Sequence, residues 1–182
     1  MSHGHGHADH GGNKGIALLI SVLALVLAFS ETLGKSAQTA ALAQNIEASN
    51  LWAFFQAKTI RQTVLRTAAE EAQVAKMSPE AKKQVDKWLE TAKRYQSEPE
   101  TGEGRDQLAA RAKEAEKKRD KAMAAYHHYE MASAAVQIAI VMASASIITS
   151  MAALVWIAGG LGVVGIVFCA IGFFFPTAVH LF

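Results

Sequence analysis

A run of 23 residues without a formal charge, Ala135 to Ile157 (AVQIAIVMASASIITSMAALVWI), constrains this chain more than any other feature. As an α-helix it rises about 35 Å, enough to cross the roughly 30 Å hydrocarbon core of a bilayer. Gly159 and Gly160 follow it. A second apolar run, LGVVGIVFCAIGFFF from Leu161 to Phe175, then continues toward Phe182 through Pro176 and His180. In hydrocarbon only helices and closed barrels satisfy their own backbone hydrogen bonds. Gly159-Gly160 therefore reads as the tight turn of a transmembrane helical hairpin, with spans at 132–158 and 161–182.

A third apolar run, IALLISVLALVLAF, extends from Ile16 to Phe29. Its fourteen residues rise about 21 Å, short of a full crossing. Extension through Ser30, Thr32 and Leu33 gives a span at 16–34, with Glu31 at its boundary. The alternative is a cleaved signal peptide, for which Lys14 supplies a weak positive flank and Ala28-Phe29-Ser30 a small-x-small cleavage site. A flank dominated by Gly and His favours an uncleaved anchor. Ahead of it, residues 1–15 (MSHGHGHADHGGNKG) read as a flexible tail with no apolar pattern to fold around.

Charge is confined to the middle of the chain. Residues 35–131 hold 17 of the 18 Lys and Arg (all but Lys14) and 14 of the 16 Asp and Glu (all but Asp9 and Glu31). This region reads as helix throughout. Ala37, Ala41, Ile46, Ala53 and Ile60 keep roughly helical spacing. Ser78-Pro79-Glu80 is a helix start: a Ser cap, Pro in the first helical position and an acid in the first turn. Ala81, Val85, Trp88, Leu89, Ala92 and Tyr95 then trace one stripe. Glu98 to Gly104 is a turn, after which Leu108, Ala112, Ala115, Ala122 and Tyr126 line another helix. The expected fold is all-α: three transmembrane helices, one N-terminal and two in a C-terminal hairpin, with a soluble helical bundle or coiled hairpin between them.

Several classes are excluded at the outset. A formal net charge of +2 gives no electrostatic footprint for nucleic acid. One cysteine, Cys169, forms neither a disulfide framework nor a Cys-based zinc cluster, and reads as a small apolar filler. Three prolines argue against an all-β chain. No GxSxG, HExxH, P-loop or paired Cys motif is present, so no catalytic residue and no cofactor is expected. Gly160-Leu-Gly162-Val-Val-Gly165 fits GxGxxG by letter, but it lacks the strand and open helix N-terminus that the dinucleotide site needs. Close helix packing through Gly162 and Gly165 is the better reading.

The remaining candidates are few. His3, His5, His7 and His10 are weak metal ligands on a flexible backbone, with no assigned metal. His127 and His128 point to different helix faces and suit a membrane interface. Glu31 precedes Lys35 by four residues, which suits an ion pair, with an ion or proton path as the sharper reading. Ser144, Ser146, Thr149 and Ser150 give the second span a polar side, with Ser146 and Ser150 at a helix seam or, alternatively, a pore lining. Trp52, Phe54 and Phe55, near Gln56, Lys58 and Arg61, read as bundle core or subunit seam.

From Asn13 to Arg66 the string NKGIALLISVLALVLAFSETLGKSAQTAALAQNIEASNLWAFFQAKTIRQTVLR resembles a bacterial family of unknown function numbered 4337. Its members carry a span followed by near-identical SETLGKSAQT and NIEASNLWAFFQAKTIRQT. Tyr126-His127-His128-Tyr129-Glu130 and the terminal hairpin are similar to that family too, so the resemblance covers nearly the whole chain. It implies a small bacterial inner-membrane protein. It implies no activity and assigns no functional residue.

The expected function is non-enzymatic: a homo-oligomer in contact with membrane lipid, scaffolding at the cytoplasmic membrane face. The alternative is a subunit of a small oligomeric channel or transporter. Lys117, Lys118, Arg119 and Lys121, just before the second span, put the charged middle region in the cytoplasm by the positive-inside rule. Self-association is expected through Trp52, Phe54, Phe55, Ser146, Ser150, Gly162 and Gly165.

Overall fold

A computed structural model of the chain describes residues 10–74 and 77–179, with side chains from Lys14 onward. Four helices account for nearly all of it: α1 (His10–Val74, 65 residues), α2 (Pro79–Gln96), α3 (Arg105–Thr149) and α4 (Ala152–Phe174). No strand occurs among the described residues, which are all-helical in architecture as expected. Three helices, α1, α3 and α4, are long and apolar enough to cross a membrane. Helical backbone reaches back to His10, inside the stretch read as tail, because adding a turn to an existing helix is far cheaper than starting one. His3, His5 and His7 lie outside the described residues, and of His10 only its place at the start of α1 is described.

The hairpin turn is not at the glycines. The break falls at Ser150–Met151, and Gly159 and Gly160 lie inside α4. Ser150 takes a left-handed conformation (φ 57°), and its backbone N–H donates to the Ser146 carbonyl at 2.9 Å, closing the helix end. Leg length gives the physical reason. Because the helix ends at Phe174 and not at Phe182, a turn at 159–160 leaves a second leg of about 14 residues, roughly 21 Å, too short to match its partner. A turn at Ser150 gives an α4 of 23 residues, about 35 Å, beside an apolar α3 segment of about 27 Å. Each glycine inside a helix costs only about 1 kcal/mol relative to Ala, and the legs then differ by about 8 Å where a turn at 159–160 leaves a difference of roughly 20 Å.

The chain divides into two compact units. One comprises Met1–Ala41 with Asp120–Phe182. Its core is Leu23, Val136, Ala139, Ala143 and Ala158, with Ile20, Leu27, Ile140 and Leu161 packed around it. The small residues of α4 set how closely its helices approach. A Cβ on Gly162 would stand 2.6 Å from Leu23 Cδ2, and one on Gly165 would collide with Val136 Cγ2. One on Gly172 would meet His128 Cβ at 3.0 Å. The glycine seam thus joins helices of a single chain.

The other unit, Leu42–Arg119, packs α1, α2 and the first part of α3. Its core is Ala48, Leu51, Leu108, Ala112 and Ala115, filled out by Trp52 and Phe55. Ser78 caps α2 through its side chain, with Pro79 in the first turn, as its sequence requires. Val85 and Ala92 are the buried residues of that helix. The turn before α3 needs glycine twice: Gly102 has φ 68°, and a Cβ on Gly104 would collide with the Glu98 backbone nitrogen. Along α1 the expected spacing mixes two faces. Ala41 is buried, whereas Ile46 and Ile60 are 54% and 65% exposed.

Candidate functional site

Three features stand out when side chains are placed on these helices. The first is a cleft of about 320 Å³ in the first unit, lined from α1 by Ser30, Glu31, Gly34, Lys35 and Gln38, and from α3 by Tyr126, Tyr129, Glu130 and Ser133. Its floor is built. Ser30 is fully buried, and its hydroxyl lies 2.8 Å from that of Ser133. The two carboxylates come from opposite walls. Glu31 Oε1 accepts from Gln137 Nε2 at 3.4 Å, in place of the Lys35 expected from sequence. Glu130 accepts from the Tyr126 hydroxyl at 3.4 Å and lies 3.7 Å from His127 Nδ1.

Just outside that cleft, His128 is buried against Phe168, with Nε2 3.2 Å from the Pro176 carbonyl and Nδ1 unpartnered. His127 and His128 do face apart. The second span's polar side is consumed locally: Ser144, Ser146 and Thr149 donate to the carbonyls of Ile140, Ala143 and Ala145. Ser146 is buried, while Ser150 is an exposed turn residue, so the two do not form one helical face. Hydroxyls bonded this way make no demand for a partner on another chain.

The second feature is a polar network inside the other unit. Lys58, only 4% exposed, lies 3.4 Å from Glu98 and 3.7 Å from Glu103, with its ammonium over the Phe54 and Tyr95 rings. Gln62, also buried, donates to the Ala92 carbonyl at 2.9 Å and accepts from Arg105 Nη1. Arg105 stacks over Phe55 at 4.9 Å and donates to Gln96. One α1 face thereby binds the end of α2 and the start of α3. Low dielectric makes such a network costly to break singly. Trp52 and Phe55 meet edge to face at 5.4 Å, and Trp52 Nε1–H donates to Glu116 at 2.8 Å. Of the aromatic cluster read as bundle core or subunit seam, Trp52 and Phe55 pack on the core of this unit, with Phe54 partly exposed under Lys58. Sequence reading missed Lys58, Gln62 and Arg105 as a set. The available signal was a Lys and a Gln four apart on the same face as Leu51 and Phe55.

The third feature lies on the opposite side of α1. Leu42, Ile46, Ile60 and Val64 are 54–65% exposed, and Ser49, Ala53 and Ala57 between them are exposed too. At 3.6 residues per turn all seven fall within an arc of about 80°. The stripe carries no ionisable group. From residue 36 to 69 α1 has four charged residues, Glu47, Lys58, Arg61 and Arg66, whereas the shorter α2 has eight. Solvated helix faces are charged, and this one is not.

A model of the family described as Domain of unknown function (DUF4337) matches residues 12–175. No curated protein and no solved structure matches the chain.

Proposed function

The chain belongs to the DUF4337 family, and from that premise we propose that it is a non-enzymatic bacterial inner-membrane protein that self-associates through α1 to form a scaffold at the cytoplasmic face. The unpartnered stripe Leu42–Val64 carries this reading. Its partner is a second copy of the same chain. Copies inserted in one bilayer share an orientation, so their α1 helices run parallel and present like residues to like. A stripe with charges would repel itself in that arrangement; this one has none. The spacing is also suited to long parallel contact. Leu42, Ala53 and Val64 recur every eleven residues, as do Ile46, Ala57 and Ala68, the period of nearly straight to right-handed helix pairs.

The interface proposed from α1 replaces Trp52, Phe55, Gly162 and Gly165, whose contacts lie within one chain. The channel alternative rests on Glu31 and the Ser/Thr side of α3, whose Ser144, Ser146 and Thr149 hydroxyls donate to their own helix. Mass measurement in nanodiscs, with disulfide trapping, tests the reading. In a Cys169→Ser background, Ile60→Cys is expected to cross-link between copies and Glu47→Cys, on another face, is not. Ile46→Glu with Ile60→Glu is expected to convert the assembly to a 19.5 kDa chain without loss of helicity, because both residues are exposed in one copy. A wild-type monomer at all accessible concentrations, or equal trapping at both positions, overturns it.

A further inference from the structure

The cleft between Ser30–Gln38 and Tyr126–Ser133 has the composition of a small-ligand site, and its place along the helices says which ligand. At about 320 Å³ it falls at the lower end of the range of roughly 300–1,000 Å³ for such sites. It carries two carboxylates, Glu31 and Glu130, and one ammonium, Lys35. Among the described residues no carboxylate lies within 4.0 Å of Lys35. A purely anionic ligand meets net negative charge here. A ligand with a primary ammonium and an attached anion meets both signs in place: N–H donors for the two carboxylates, and an anion for Lys35.

Location narrows the choice further. The apolar run of α1 ends at Phe29, and the charged part of α3 ends at Glu130. Both helices therefore change from apolar to polar at the level of the cleft. Farther along the apolar lengths of the same two helices, Leu25 and Phe29 are 58% and 61% exposed, and Ile138 and Val141 are 50% and 63% exposed, outside the cleft lining itself. A ligand seated here has its polar part among Glu31, Lys35 and Glu130, at the level where both helices turn apolar.

We propose that this cleft binds the headgroup of an aminophospholipid, its primary ammonium between Glu31 and Glu130 and its phosphate at Lys35. Its acyl chains extend from the headgroup toward the apolar lengths of α1 and α3. The inference rests on the membrane-crossing part of the functional reading and is independent of self-association. A choline headgroup fits less well, because its quaternary nitrogen has no N–H for the carboxylates.

The test uses the full chain reconstituted in nanodiscs of equal phosphatidylethanolamine and phosphatidylcholine, with retained lipid read by native mass spectrometry. Ethanolamine lipid is expected to be retained at least tenfold over choline lipid. Glu31→Gln with Glu130→Gln, both exposed and isosteric, is expected to abolish that preference, and Lys35→Gln to weaken retention of both lipids. Soluble phosphoethanolamine is expected to compete poorly, since it lacks the chains. Equal retention of the two lipids by the wild type overturns the proposal, as does displacement by phosphoethanolamine at the lipid's own concentration. Failure to reconstitute at all would instead remove the membrane reading, a separate outcome.

Discussion

Glycines that look alike in the string GGLGVVG differ in what surrounds them. Nothing lies within 4 Å of a Cβ built on Gly159 or Gly160. Gly165 is closed in by Val136 Cγ2 and, at 3.3 Å, by the Ala132 carbonyl. Valine is stiff at χ1 and the carbonyl belongs to the α3 backbone, so neither yields easily. Gly165→Ala is therefore expected to lower stability by about 1–3 kcal/mol, the usual cost of overpacking. Gly160→Ala is expected to raise it by about 0.5–1 kcal/mol, the gain from restricting a mid-helix glycine. Gly162 falls between, since its obstacle, Leu23 Cδ2, is the end of a flexible side chain. Denaturant titration in one detergent measures all three. Equal effects at 160 and 165 would sink the packing account.

At the scale of the element, the start of α2 is the clearest case of sequence specifying structure. The Ala81 N–H donates to Ser78 Oγ at 3.2 Å, and the Glu80 carboxyl is held below its ordinary pKa of 4.5 by a backbone hydrogen bond and then by Ser78. A lowered carboxyl stabilises the folded form above the ordinary value and loses that contribution as pH falls through the folded value. Glu80→Gln is thus expected to be less stable than wild type at neutral pH, with the gap closing below about pH 4. Thermal melts across pH read this directly, and a gap that widens in acid contradicts it. Other elements were legible for equally local reasons: the turn at Glu98–Gly104 from its Pro and Gly, and α3's apolar side from Leu108, Ala112 and Ala115. The end of α3 was not. Ile147, Ile148 and Thr149 are β-branched, which weakens a helix, but Gly159-Gly160 gave the louder signal. The cleft was half legible, Glu31 standing out alone. Gln137 and the Ser30–Ser133 contact join residues more than a hundred positions apart, beyond the reach of any helical period.

For the whole molecule, the position of the α3–α4 turn and the distribution of charge make one joint prediction about topology. Lys113, Lys117, Lys118, Arg119 and Lys121 precede the apolar part of α3, and the Ser150–Met151 turn carries no charge. The positive-inside rule weighs such flanking residues most heavily, and the expected orientation has Gly102–Gly104 in the cytoplasm and Ser150–Met151 outside it. A reporter active only in the periplasm is expected to be silent when inserted at 102–104 and active at 150–151. Insertion at 159–160 separates the turn seen here from the one the glycines suggest. That site lies two turns inside α4, next to Ala158 in the core and Gly162 against Leu23. An inserted domain there cuts the span to a stub of about 14 residues, or 21 Å, and strips Ala158 from the core. Loss of the folded protein is expected at 159–160, with tolerance at 150–151. A stable, active reporter at 159–160 together with loss at 150–151 would return the turn to the glycines, and activity at 102–104 would reverse the orientation.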